Sequence, residues 1–203
     1  MRKEPLKLGF MVSGRGSNLQ SILSACKDGT LNAVPVVVIS NNRDSGALQI
    51  ARANHIPGVY LSPSTHPDPH QLDKEIAGTL KEYGVELLVL AGYMKKIGPN
   101  TLKVFHNRII NIHPSLLPAY GGAGMFGIKV HEAVLAAGEP LTGATVHQVN
   151  ENYDEGRILA QTEVKVKDTD TPETLAARVL EQEHRLYVKA LQDIIAGKID
   201  LDA

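Results

Sequence analysis

"KLGFMVSGRGSNLQSILSACK", Lys7–Lys27, decides the fold. An apolar run that stops at Ser13 reads as a strand over Leu8–Ser13 entering a glycine turn. Beyond the turn, Leu19, Ile22, Leu23 and Cys26 recur at helical spacing, with Ser17 as the N-cap. The same alternation continues. "AVPVVVIS" (33–40) is almost wholly apolar, as a parallel strand covered on both faces must be. "SGALQIARANHI" (45–56) reads as a helix, "GVYLS" (58–62) as a strand, and "HPDPHQLDKEIAGTLKEYG" (66–84) as a helix after two prolines, closed by Gly84. "VELLVLAG" (85–92) and "RIINIH" (108–113) are a fourth and a fifth strand. Strands alternating with helices predict a parallel, doubly wound sheet.

The second half departs from that rhythm. A short helix (129–139), two strands (142–149 and 158–166) and a long helix over 170–198 follow, with Thr171 as N-cap and Pro172 at N1. The expectation is an α/β protein with one Rossmann-like, mostly parallel sheet and helices on both faces. A single domain is expected over residues 1–203.

Composition narrows the function. A net charge of -1, no Trp and three Phe argue against a nucleic-acid partner. The single cysteine, Cys26, excludes an internal disulfide and reads as a small core residue. The N-terminal apolar run is broken by Ser13 and Gly14 and preceded by Glu4 and Pro5, so neither a signal peptide nor a membrane span is expected. The expected location is cytoplasmic.

Ligands of open α/β sheets bind beyond the carboxyl ends of the strands. The first strand ends in "SGRGSN" (13–18), the fourth in "AGYMKK" (91–96) and the fifth in "NIHP" (111–114), and these ends converge on one cleft. The glycine turn lacks the Gly-Lys-Ser/Thr of a triphosphate loop. Leu19 occupies the third glycine position of a dinucleotide fingerprint, and no carboxylate follows Ser40–Asn41. It suits a single phosphate group, or else is a tight turn with no ligand.

Asn111 and His113 share one face of the fifth strand. An amide and an imidazole are groups that bind an oxyanion or move a proton, and they also serve to tie down a strand end. A carboxylate beside the imidazole would orient it; the loop after residue 149 offers Asp154 and Glu155, which spacing does not separate. His66 and His70 are kept off a helix by Pro67 and Pro69, and no cluster has metal-ligand spacing. His131 reads as the opening of a helix. Glu183 lies on the apolar stripe of the last helix, so it needs either an internal partner such as an arginine or a ligand's amine or hydroxyl.

The segments "SGRGSNLQ", "LAGYMKKI", "NIHPSLLP", "TGATVHQVNENYDEGRIL" and "QEH" together resemble the glycinamide ribonucleotide formyltransferases, a branch of the folate-dependent formyltransferase family, over about residues 8–195. The resemblance implies formyl transfer from 10-formyltetrahydrofolate to the glycine amine of phosphoribosylglycinamide, in purine synthesis. It implies Asn111, His113 and Asp154 as the catalytic triplet, and Gly16, Ser17, Asn18 and Glu183 as substrate contacts. Met94, Lys95, Lys96 and Ile97, with Asn111 and the loop Asn150, Glu151, Asn152, Tyr153 and Asp154, would line the folate site. No metal is implied; the partners are small molecules, with no nucleic acid and no membrane, and a homodimer stays open. His113 is expected to be protonated, with Asp154 keeping it so.

Two stretches depart from the family pattern. Where some members carry a folate-contacting arginine, this chain has Pro69 or His70, and neither inherits that contact. After "LLP" comes the longer, glycine-rich "AYGGAGMFGIKVHE" (119–132), expected to reshape access to the cleft and leaving His131 without an assigned role. A tRNA formyltransferase would bring a second domain and a basic surface, and a formyl-folate hydrolase a leading regulatory domain; neither is read here.

Overall fold

The computed structural model describes residues 4–203; the first three residues of the N-terminal segment lie outside the described residues. In chain order the elements are β1 (Leu6–Val12), α1 (Ser17–Lys27), β2 (Ala33–Ser40), α2 (Gly46–Ala53), β3 (Gly58–Tyr60), α3 (Pro69–Glu82), β4 (Leu87–Leu90) and α4 (Pro99–Val104). Then come β5 (Ile109–His113), α5 (Ile128–Ala136), β6 (Leu141–Gln148), β7 (Ile158–Lys165) and α6 (Pro172–Ile195). They build one seven-stranded sheet in the order β3-β2-β1-β4-β5-β6-β7. β1 to β5 are parallel, while β6 and β7 run antiparallel. The chain winds outward from β1 to β3, then crosses to the other side of β1 to place β4, so the switch point falls between β1 and β4.

Period-two alternation on β1 splits the interior into two cores. Leu6, Leu8, Phe10 and Val12 join the larger one, with side chains of α1, α2 and α6. Met11 joins the smaller, with Ile76 and Leu80 of α3. On β5, Ile110 and Ile112 enter the larger core and Ile109 the smaller. Asn111 and His113 share Ile109's face, where the apolar core gives way to a cleft. Tyr187 of α6 is fully buried, its hydroxyl 3.0 Å from both Leu90 O and Ile110 O. That one group ties the longest helix to the two strands that carry the cleft.

The structure corrects the expected elements in three places. Ser17 is the first residue of α1, not its cap; Gly16 takes that position at φ 81° with no side-chain cap. A Cβ on Gly16 would come within 2.9 Å of Ala47, so glycine there also permits the close approach of α2. β3 stops at Tyr60, because Ser62 turns the chain through hydrogen bonds to Thr65 and Ser64. α4 was not expected; it is one and a half turns, started by Gly98–Pro99 and held by Asp73 of α3. Asp73 is buried and accepts from the backbone N–H groups of Asn100 (2.6 Å) and Thr101 (3.1 Å), serving as a cap from another helix. Thr171 caps α6 as expected, in a reciprocal box with Thr174. Among the described residues, no helix is long and apolar enough to cross a membrane.

Candidate active site

A cleft of about 350 Å³ opens at the switch point, over the ends of β4 and β5. Its wall contains Asn18, Met94, Lys95, Lys96, Ile97, Asn111, His113, the loop from Asn150 to Asp154, and Glu183. Gly16 and Ser17 lie in the turn beside it. The strand ends are tied to one another. Ser13 N–H donates to Gly92 O (3.0 Å), the Ser13 hydroxyl donates to Asn41 Oδ1 (2.6 Å), and Met94 N–H donates to Ser13 Oγ (2.8 Å). The segment 94–97 therefore hangs from the β1 end. Ile97 is buried, while Met94 stays half exposed at the cleft mouth. Lys96 Nζ stands over the Tyr153 ring at 5.8 Å, joining the two sides of the mouth.

At the phosphate-type turn, no side chain caps the first N–H groups of α1. An uncapped helix start on a glycine turn is what an anion site requires. The Asn18 side chain points elsewhere: its amide donates to Glu183 Oε2 at 2.8 Å. This settles the partner of Glu183, which is an asparagine and not an arginine. Burial pushes the Glu183 carboxyl above its ordinary value, against the lowering effect of the Asn18 bond.

The polar cluster on β5 and β6 follows from strand register. Asn111 faces His147, and His113 faces Thr145, across an antiparallel pair. Asn111 Nδ2 lies 3.1 Å from His147 Nε2. His147 Nδ1 lies 2.8 Å from Gln148 O; a carbonyl only accepts, so the proton sits on Nδ1 and Nε2 accepts from Asn111. One amide hydrogen of Asn111 is thus spent on His147, and the other remains for a ligand in the cleft. By the same logic His113 Nε2–H donates to Tyr120 O at 2.8 Å, leaving Nδ1 facing Asp154 Oδ2 at 3.5 Å. Asp154 Oδ1 lies 3.5 Å from His147 Nε2, and Gly122 N–H donates to Asp154 Oδ2 at 2.9 Å. Asp154 is the acid of the cluster. Glu155 instead accepts from Asn152 on the exposed loop.

The electrostatics set the resting state. Burial lowers the affinity of His113 for a second proton, more than Asp154 and the Tyr120 carbonyl raise it. Burial thus works against the protonated ring that was expected, while Asp154 works towards it. Burial pushes Asp154 up, but the neighbouring His147 and His113 rings and the Gly122 N–H outweigh it, and the carboxyl titrates below its ordinary value.

One contributor was not read from the sequence. His147 was one histidine among eight; its signal was strand alternation in "TVHQV", which puts it on Asn111's face only once β5 and β6 are paired in register. The stretch from Gly122 to Gly127, within the long loop the sequence singled out, forms part of the cleft wall. His131 does not open a helix. It is buried inside α5, with no hydrogen-bond partner for Nδ1, and it does not line the cleft. Among the described residues, no group of three or more His, Cys, Asp and Glu is arranged to hold a metal ion.

The cleft at the switch point of this α/β sheet thus brings an amide, an imidazole and a carboxylate together near an uncapped helix start. The chain belongs to the formyl transferase family, whose model matches residues 6–191. It is 47% identical over 195 residues to the chloroplastic phosphoribosylglycinamide formyltransferase of Arabidopsis thaliana, an alignment of 95% of this chain and 66% of that one. The chain thus spans just under two thirds of that plant relative. The phosphoribosylglycinamide formyltransferase of Haemophilus influenzae is 36% identical, over 96% of this chain and 90% of its own length. Among solved structures, glycinamide ribonucleotide transformylase 1 from Symbiobacterium toebii superposes with a TM-score of 0.92 at 37% identity, covering 98% of this chain and 92% of that one.

Proposed function

We propose that this chain transfers the formyl group of 10-formyltetrahydrofolate to the glycine amine of 5'-phosphoribosylglycinamide, giving the N-formyl product and tetrahydrofolate, a step of purine synthesis. The observation that carries the reading is the assembly of Asn111, His113 and Asp154 in a cleft that also reaches the uncapped start of α1. The N-terminal half supplies the phosphate turn, with the backbone of Gly16, Ser17 and Asn18 as anion donors. Glu183, held by Asn18, meets the glycinamide part. The folate lies against Met94, Lys95, Lys96 and Ile97 on one side and the loop from Asn150 to Asp154 on the other. No metal enters the reaction as proposed.

The chemistry needs three services. The acceptor nitrogen attacks the formyl carbon; a C–N bond forms and the carbonyl oxygen becomes an oxyanion. The free amide hydrogen of Asn111 meets that oxygen. Neutral His113 offers its Nδ1 lone pair to the proton leaving the amine, and the imidazolium so formed has an acceptor at each nitrogen, Tyr120 O and Asp154. The same proton then goes to the folate nitrogen as its bond to carbon breaks, which returns His113 to the neutral state. Asp154 supplies stabilisation when the positive charge appears, so it acts on the transition state more than on the resting site.

The test is absorbance-monitored release of tetrahydrofolate, with and without phosphoribosylglycinamide. Release only with the acceptor is expected. Release without it would make the chain a hydrolase, and binding with no release would make it a sensor of ribose phosphates.

A further inference from the structure

Tyr120 lies in the long glycine-rich loop, and its backbone and side chain serve different ends. Its carbonyl accepts from His113 Nε2 at 2.8 Å, and its hydroxyl donates to Glu139 Oε1 at 2.8 Å. The first bond fixes which nitrogen of His113 carries the proton at rest. Two residues further on, Gly122 N–H holds Asp154 Oδ2. Between them Gly121 packs so close that a Cβ there would sit 3.2 Å from the Asp154 Cβ and 2.5 Å from Leu117. Three consecutive residues therefore grip His113 and Asp154 through backbone alone. Tyr120 does so at φ 56°, a conformation that a non-glycine residue keeps only when its surroundings hold it. The Ser115 hydroxyl holds Ala119 O at 2.6 Å on the side before Tyr120, and glycines follow at 121, 122 and 124, so the hydroxyl bond to Glu139 is the side-chain tie of Tyr120 itself. Glu139 follows the end of α5, and its own N–H bonds back to Val134 O, so the anchor is fixed to the body of the fold.

We propose that Glu139, outside the cleft, is a positioning residue for the transfer: through the Tyr120 hydroxyl it fixes the backbone of residues 120–122, which sets the tautomer of His113 and orients Asp154. The inference rests on the formyl-transfer reading for its kinetic consequences but not for its structural one. The other titratable groups around His113 are Asp154, His147 and, from α5, His131, and none of them is itself substituted in the variants at 120 or 139.

The experiment compares wild type with Tyr120→Phe, Glu139→Ala, Glu139→Gln and the Tyr120→Phe/Glu139→Ala double variant. Long-range proton–nitrogen NMR of the imidazoles, run first, reads the His113 tautomer without any substrate. The expected result is a single Nε2–H form in wild type and Glu139→Gln, whose amide oxygen still accepts from Tyr120, and mixed tautomers in the other three. Turnover should fall about threefold to tenfold in those three. KM values should stay near wild type, the acid limb of the pH–rate profile should move, and the double variant should be no worse than the weaker single. An unchanged His113 tautomer in Glu139→Ala overturns the proposal, as does a loss in Glu139→Gln equal to that in Glu139→Ala. A wild type that shows the expected tautomer but no transfer overturns the proposed reaction and leaves the positioning role standing.

Discussion

His113 has an acceptor at each ring nitrogen, one a peptide carbonyl and the other a carboxylate. Such a ring is best satisfied as an imidazolium, and burial opposes that charge. Because Asp154 raises the pKa of His113, Asp154→Asn is expected to lower turnover by about 10² or more and to shift the acid limb of activity to lower pH; initial rates from pH 5 to 8 check both. His147 acts one step back, by holding the Asn111 amide. His147→Ala should cost about tenfold in turnover with little change in KM, since a loosened oxyanion donor still binds substrate; steady-state kinetics on the purified variant measure this. The pairing of Asn111 with His113 was legible, because alternation on one strand fixes a shared face. Spacing did not separate Asp154 from Glu155, and only the family resemblance did, because the difference depends on the left-handed turn at Asp154, φ 58°, where one carboxylate faces the cluster.

Among the elements, the strand–helix alternation of the first half was readable because each parallel strand is apolar on both faces, and each helix shows its stripe. Short elements were not. α4 has six residues and takes its cap from Asp73, which is remote in sequence, so no local signal announces it. Ser17 looked like a cap because its residue type is right; the left-handed Gly16 displaced it, which leaves the helix start free for an anion. The tie between α6 and the sheet rests on Tyr187, a residue that periodicity marks only as apolar. Tyr187→Phe removes the one hydroxyl shared by Leu90 O and Ile110 O, and should lower stability by about 1 kcal/mol; urea titration followed by circular dichroism measures it. In the acid loop, a Cβ on Gly156 would lie 1.8 Å from Gln148 O. Gly156→Ala must therefore displace the loop that carries Asp154, and should depress turnover more than it depresses the melting temperature relative to Tyr187→Phe; assay and thermal melt of the two variants side by side decide it.

At the scale of the whole molecule, the fold class was legible in the sequence, but the strand order was not, since a switch between β1 and β4 is a property of packing and leaves no mark on either strand. The site inherits that limit: its three strand ends were foreseeable, and the contribution of β6 was not. Folding also buries proton-binding groups. His113, His131 and His184 are each held by burial below the ordinary histidine value of 6.5. In the unfolded chain they protonate near that value, so their contribution to stability is complete above pH 6.5 and is lost as the pH falls towards their folded values. Glu183, raised by burial, works in the opposite sense just above its ordinary 4.5. Three groups against one predict a melting temperature that drops between pH 7 and 5.5, read by calorimetry. In the proposed reaction Asn111, His113 and Asp154 move a formyl group onto a phosphorylated amine. An isotopically labelled formyl carbon, followed from 10-formyltetrahydrofolate by mass spectrometry in wild type and in His113→Ala, tests this directly. Labelled N-formyl product is expected from wild type, and a rate at least about 10²-fold lower from the variant. Equal labelling by both, or none by wild type, would overturn the proposed reaction.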